Sequence, residues 1–297
     1  MDTLCPIRNQ VGECPLWSAA EQALYWVDIE ARRVHRFDWA SRTERSWAMP
    51  ERIGSIALHA GGGLLAAMES GLFRLRLEYD GTVGCTLMQA AVFPRSGMRF
   101  NDGRTDRHGR FWVTSMVRDM ALADASGALY RVASDGLSRS SVGGLVTGNG
   151  LGFSPDGRTM YLSDSHPSVQ RIWAFDLDAD GTLSNRREFV DMNRHPGRPD
   201  GAAVDAEGGY WICANDAGAV HRFLPDGRLD RSLPVPVAKP SMCAFGGPAL
   251  DHLFITSIAP PGADGSAGNS LAGAVFVTQP GFTGLAELPF DPNASAA

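Results

Sequence analysis

Six short aromatic or β-branched runs, spaced almost evenly along the chain, constrain the fold more than any other feature. They are Leu24-Tyr25-Trp26-Val27, Leu64-Leu65-Ala66, Phe111-Trp112-Val113, Met160-Tyr161-Leu162, Tyr210-Trp211-Ile212 and Leu253-Phe254-Ile255. Successive runs lie roughly 40–50 residues apart, the period of a four-stranded propeller blade. Upstream of them stand turn signals such as Gly61-Gly62-Gly63, Arg107-His108-Gly109, Pro155-Asp156-Gly157 and Ala206-Glu207-Gly208. Downstream comes a second alternating segment, as in Arg33-Val34-His35-Arg36-Phe37 or Ala219-Val220-His221-Arg222-Phe223. Two extended runs joined by turn residues make a hairpin.

Helical spacing of apolar residues over several turns is nearly absent, so the repeat unit is built of strands. About six hairpin-rich units without helices favour a closed radial array, because closure leaves few strand edges unprotected. The expected fold is all-β, a six-bladed β-propeller. No linker, charge run or low-complexity segment divides the 297 residues, so residues 1–297 are expected to form one domain. The tail from Asn293 to Ala297 is expected to fray.

Composition narrows the function. Apolar residues make up 44% and charged residues 20%, ordinary for a globular protein, so no disulfide or structural metal is needed to stabilise a core of this size. A net charge of −6 with scattered arginines excludes the electrostatic footprint of a nucleic-acid binder. No stretch approaches the ~20 apolar residues of a membrane span, and the start has no basic, then apolar, secretory pattern. Cys5, Cys14, Cys85, Cys213 and Cys243 form no CxxC pair, which points to free thiols in a reducing, cytoplasmic setting.

Several catalytic signatures are missing: no GxSxG elbow, no GK[ST] phosphate loop, no HExxH. The segment Asp176-Leu177-Asp178-Ala179-Asp180-Gly181 reads like the opening of a calcium loop. Arg187 occupies the twelfth position, where that loop requires a bidentate Glu, so a hairpin turn is expected instead.

What remains is a set of oxygen-bearing residues in Gly- or Pro-rich turns: Gly12-Glu13-Cys14-Pro15, Arg99-Phe100-Asn101-Asp102-Gly103, Thr147-Gly148-Asn149-Gly150 and Arg198-Pro199-Asp200-Gly201. Each precedes a blade's aromatic run, so equivalent blades would bring the turns together around the central channel. Taken singly, Asn-Gly and Asp-Gly are ordinary hairpin turns. Their recurrence in register is what points to a site. Glu, Asn and Asp without His or Cys make a hard-oxygen set, suited to Ca, Mg or Mn and less characteristically to Zn or Fe(II). Asp28, Asp102, Asp164 and Asp205 read as structural, with Asp102 and Asp164 also candidates for a supporting layer. Cys14 reads as a bystander, since no His lies in its motif.

At these residues the chain resembles the SMP-30/gluconolactonase/regucalcin family, and within it the bacterial sugar lactonases. The resemblance rests on GECPLW, RFNDGR followed by DRHGRFWVTSM, GALYRV, TGNGLGFSPDGRTMYLSDS, LSNRREFV, PDGAAVDAEGGYWICAN and CAFGGP, which together span nearly the whole chain. It implies a six-bladed propeller with one divalent metal ion at the channel mouth, held by Glu13, Asn149 and Asp200. It implies substrate contacts from Arg99 and Asn101, and a further acidic contact at Asp119, where SMVRDM replaces a more acidic version. Glycine is common in relatives at the position of Cys14.

The implied activity is metal-dependent hydrolysis of a sugar (aldono-)lactone to the aldonic acid. A divalent cation would polarise the carbonyl, Asp200 would act as base towards water, and Arg99 and Asn101 would meet hydroxyls. Alternatives are a non-catalytic calcium-binding or scaffold propeller, and a non-sugar lactonase or organophosphatase on the same fold. The expected partner is a small sugar lactone. Ring size and stereochemistry would be read by loops around 94–98, 116–122, 195–198 and 260–270.

Overall fold

The computed structural model describes residues 1–260 and 271–294. Its strands form six four-stranded antiparallel sheets, the blades of a propeller, and the described residues include no α-helix. Blade 1 runs outward from Gly12–Ser18 through Ala23–Asp28 and Arg33–Asp38 to Glu44–Ala48. The innermost strands of blades 2 to 6 are Ile53–Leu58, Met98–Thr105, Gly148–Phe153, Arg198–Val204 and Pro240–Gly246.

The aromatic runs of the sequence are the second strand of each blade. Ala23–Asp28, Phe111–Val117 and Tyr210–Asn215 are buried at every position, because both faces of these strands pack against neighbouring blades. Burial on two faces explains why they read as continuous apolar runs instead of alternating. The fourth strands, such as Val83–Ala90 and Leu229–Pro234, are almost wholly exposed and correspondingly polar. Between blades, Trp17 stacks on Phe254 with ring centroids 5.7 Å apart. Removing one such side chain from water is worth about 1.5–3 kcal/mol.

The ring closes by mixing the two ends of the chain. Asp2–Thr3 pairs with Phe276–Thr278 and so becomes the outermost strand of blade 6. Asp176–Gly181 spans the end of one strand and a hairpin turn, as expected, and Arg187 pairs with Asp176 at 2.6 Å. The five cysteines are free.

Two expectations need correction. The oxygen-bearing segments are not turns; they lie inside the innermost strands, at a bulge. Every innermost strand slips register near its start: between Glu13 and Leu16, Ile53 and Ser55, Phe100 and Gly103, Asn149 and Gly152, Pro199 and Ala202, and Pro240 and Cys243. A bulge adds an unpaired residue and re-aims the side chains around it, which Gly and Pro permit in mid-strand. The tail is also anchored further than expected. Ala294 is buried, and its carbonyl accepts from Ser134 N at 3.1 Å; residues 295–297 lie outside the described residues.

That anchoring belongs to a strap over the end where the innermost strands finish. Thr283 O accepts from Ala206 N, Ala286 O from Arg107, Leu58 O from Phe290 N, and Glu287 pairs with Arg104. The strap joins blades 2, 3 and 5 across the channel floor. The bulges sit at the opposite end, where the same strands begin.

Candidate active site

Glu13 is the second residue of its strand, as are Arg99 and Asn149, and Asp200 is the third. All four sit near the starts of innermost strands, on blades 1, 3, 4 and 5. Close approach there requires missing side chains. A Cβ on Gly201, beside Asp200, would lie 2.3 Å from Met242 Cγ, and one on Gly54 would lie 2.4 Å from Phe100 O.

A chain of hydrogen bonds links three of the expected residues. Arg99 Nη1 donates to Asn101 Oδ1 at 2.7 Å, Asn101 Nδ2 donates to Asn149 Oδ1 at 3.2 Å and to Gly148 O at 2.9 Å, and Asn149 Nδ2 donates to Ser165 Oγ at 2.9 Å. Both amide planes are thereby oriented, and Asn149 keeps one Oδ1 lone pair for a ligand. Asn101 is itself largely engaged by the protein. Asp200 Oδ2 accepts from Asn215 Nδ2 at 2.7 Å, which leaves Oδ1 as its free oxygen.

Asp102 belongs with them. It is buried, Oδ2 accepts from Leu151 N at 2.8 Å, and Oδ1 has no hydrogen-bond partner. An orphaned buried carboxylate oxygen beside a channel invites a cation or a water. By contrast Asp28 and Asp164 each accept from three backbone amides, Gln10, Val11 and Ala31 for the first, Val146, Thr147 and His166 for the second. These are structural brackets.

Burial raises the Glu13 carboxyl well above its ordinary value, and the charges of Asp200 and Asp102 raise it further. Burial lifts Asp200 to about 7, opposed by the Asn215 hydrogen bond, and lifts Asp102 as well. Among the described residues none of the three has a cationic side chain within 4.0 Å. Two buried acids and the half-buried Glu13, without a counter-charge, form a site that needs a positive partner. No group of three or more His, Cys, Asp and Glu side chains is arranged to hold a metal among the described residues. The candidate set is instead two carboxylates and an amide, a donor set that suits a hard cation. Burial pushes the Cys14 thiol up to about 12, so it stays protonated at neutral pH and cannot serve as a thiolate nucleophile.

Asp119 lies apart from the acids. It is exposed, caps the short turn Met120–Leu122 by accepting from Ala121 N, and meets Arg99 only as a co-lining residue of a cavity of about 420 Å³. The stretches 94–98 and 116–122 contribute to the same cavity wall. Arg198 of the 195–198 stretch pairs with Asp216 at 2.6 Å, and 261–270 lie outside the described residues.

Sequence reasoning missed Asn215. It stands opposite Arg198 at the end of its strand, where blades 1 and 4 place Asp28 opposite Gly12 and Asp164 opposite Gly148. Asn in place of Asp at one copy of the repeat is the signal that could have found it.

The sequence profile of the SMP-30/Gluconolactonase/LRE-like region matches residues 11–259. A 6-deoxy-6-sulfogluconolactonase of Pseudomonas putida is 37% identical, covering 95% of this chain and 96% of its own. A pentonolactonase of Haloferax volcanii is 33% identical over 98% and 97% of the two chains. Among solved structures, a calcium-binding protein, regucalcin, from Agrobacterium tumefaciens superposes with a TM-score of 0.88 at 28% identity, covering 97% of this chain and 96% of that one.

Proposed function

Because the chain belongs to the SMP-30/gluconolactonase/LRE-like family, we propose that it is a lactonase that opens a sugar lactone to the aldonic acid with one divalent cation held by Glu13, Asn149 and Asp200. The observation that carries this reading is the trio of uncompensated acids, Glu13, Asp102 and Asp200, at the end of the channel where the innermost strands begin. The orphaned Asp102 Oδ1 and the all-oxygen donor set fit a hard divalent ion. When bound, such an ion polarises the lactone carbonyl and stabilises charge on its oxygen.

The protein's own groups supply the rest. Asn215 pins Asp200 Oδ2, which leaves Oδ1 to orient the attacking water and take its proton. The proton then passes to the ring oxygen as the C–O bond breaks. Arg99 offers forked donors to hydroxyls or to the developing oxyanion, in an orientation set by its bond to Asn101. Asn101 positions both Arg99 and Asn149 and has one Oδ1 lone pair left for a hydroxyl.

Acid release from gluconolactone or xylonolactone, followed with a pH dye, tests the proposal. Turnover that stops with a chelator, returns with a divalent ion and is lost in Glu13→Gln supports it. Chelator-insensitive turnover in that variant would overturn the metal site.

A further inference from the structure

Beside the channel mouth, the cavity of about 420 Å³ is walled by Arg52, Arg95, Arg99 and Arg118, with Glu30 and Asp119 as its acidic residues. Its size is that of a small-ligand site. Arg99 joins it to the candidate active site through Asn101.

The wall is rich in donors and poor in acceptors. Both Glu30 oxygens accept from Arg52 Nε, at 3.0 and 2.9 Å, and Asp119 Oδ1 accepts from Ala121 N at 3.1 Å. Glu69 bridges Arg118 Nη1 at 3.0 Å and Arg52 Nη1 at 3.4 Å, and Asp124 meets Arg95 through Nη1. Each guanidinium carries five N–H donors and no acceptor, so Arg95 and Arg118 retain donors on Nε and Nη2. Arg99 has no carboxylate within 4.0 Å among the described residues; its Nη1 donates to Phe100 O and Asn101 Oδ1. A neutral sugar hydroxyl must donate as well as accept, and this wall gives it few acceptors. A tetrahedral oxyanion only accepts, and it supplies the charge that Arg99 lacks.

We propose that this cavity binds a phosphate or sulfonate group on the far end of the substrate, so that the preferred lactone is an anionic sugar lactone. The inference rests on the lactonase reading for the neighbouring site, and it names that site's substrate class. The anion is held by Arg95, Arg99 and Arg118, while the ring reaches the bulged strands.

Two measurements test it. The first is calorimetric binding of 6-phosphogluconate, 6-deoxy-6-sulfogluconate and gluconate, none of which can be turned over. The second is kcat/KM for 6-phosphogluconolactone, 6-deoxy-6-sulfogluconolactone and gluconolactone. The anionic ligands should bind at least about tenfold tighter than gluconate, and the advantage should shrink with added salt. An Arg95→Gln/Arg118→Gln variant should lower the anionic-to-neutral kcat/KM ratio about tenfold, through KM. These side chains are 42% and 48% exposed, so the variant should fold, which circular dichroism checks. The phosphate and sulfonate arms separate the two sources of the oxyanion, and preference for either supports the cavity. Equal or better binding of gluconate, or a ratio that the variant leaves unchanged, overturns the proposal even if every lactone is opened. Tight anion binding that the variant abolishes, with no lactone opened, would uphold the cavity and sink the lactonase reading instead.

Discussion

The two ends of the central channel treat the same residue type in opposite ways. At the floor, Asp106 and Asp205 are completely buried, and each is saturated. Asp106 accepts from His108 N, Arg110 N, Arg110 Nε and Trp112 Nε1; Asp205 accepts from Glu207 N, Gly209 N, Trp211 Nε1 and Arg222 Nε. At the mouth, Glu13, Asp102 and Asp200 have few donors and no cation within 4.0 Å among the described residues. A satisfied buried carboxylate ties a blade together, and an unsatisfied one awaits a partner that the chain does not supply. The lesson is that burial of an acid says little until its partners are counted.

The sharpest break of this comparison is chemical. Asp200→Asn or Glu13→Gln should slow lactone opening by about a thousandfold or more, whereas Asp106→Asn, if it folds, should change kcat by less than about threefold. Acid-release rates check both, and an active Asp200→Asn would erase the distinction. Next in size is stability at the floor. Asp205→Asn removes one of the three carboxylates that hold buried Arg222, and the charged acceptor of Trp211 Nε1, and should cost about 1.5–3 kcal/mol in urea unfolding. An unchanged urea midpoint would show the floor pair to be ornamental.

A third test uses pH. Asp200 binds its proton more tightly folded than unfolded, so the stability it lends is present below the ordinary carboxylate range and is lost as pH rises towards about 7. In chelator, the wild type should lose about 2–3 kcal/mol from this group between pH 5 and 8, and Asp200→Asn should flatten that slope. Thermal melts with and without a divalent ion read it, and a slope that the variant leaves intact refutes the assignment. The smallest effect concerns Asn215. Asn215→Leu removes the hydrogen bond that holds Asp200 down, so the acid limb of kcat/KM should move up by about one pH unit, worth about 1.4 kcal/mol. A purely structural role would lower stability and leave that limb in place.

Much of the fold was legible because burial on two faces writes a continuous apolar run into every second strand, as in Phe111–Val117 and Tyr210–Asn215. The bulges were not legible. Asn149-Gly150 and Asp200-Gly201 carry the residues of a turn, and a bulge uses the same backbone freedom without reversing the chain. Gly150 shows this, with φ of 63° in mid-strand. Asn215 was hidden for another reason: its value lies in a departure from the repeat, and departures are visible only once the register of the blades is known.

The sequence by itself determined that this chain closes into six blades and that the segments carrying Glu13, Asn101, Asn149 and Asp200 recur ahead of the aromatic runs, because periodicity and local propensity are properties of neighbouring residues. Which acids lack a counter-charge is not such a property. Asp205 meets Arg222 only once the strands of blade 5 have paired, and Arg104 meets Glu287 only once the strap lies across the floor. Electrostatic compensation depends on distance through space, so only the tertiary structure could sort the bracketing aspartates from those at the mouth.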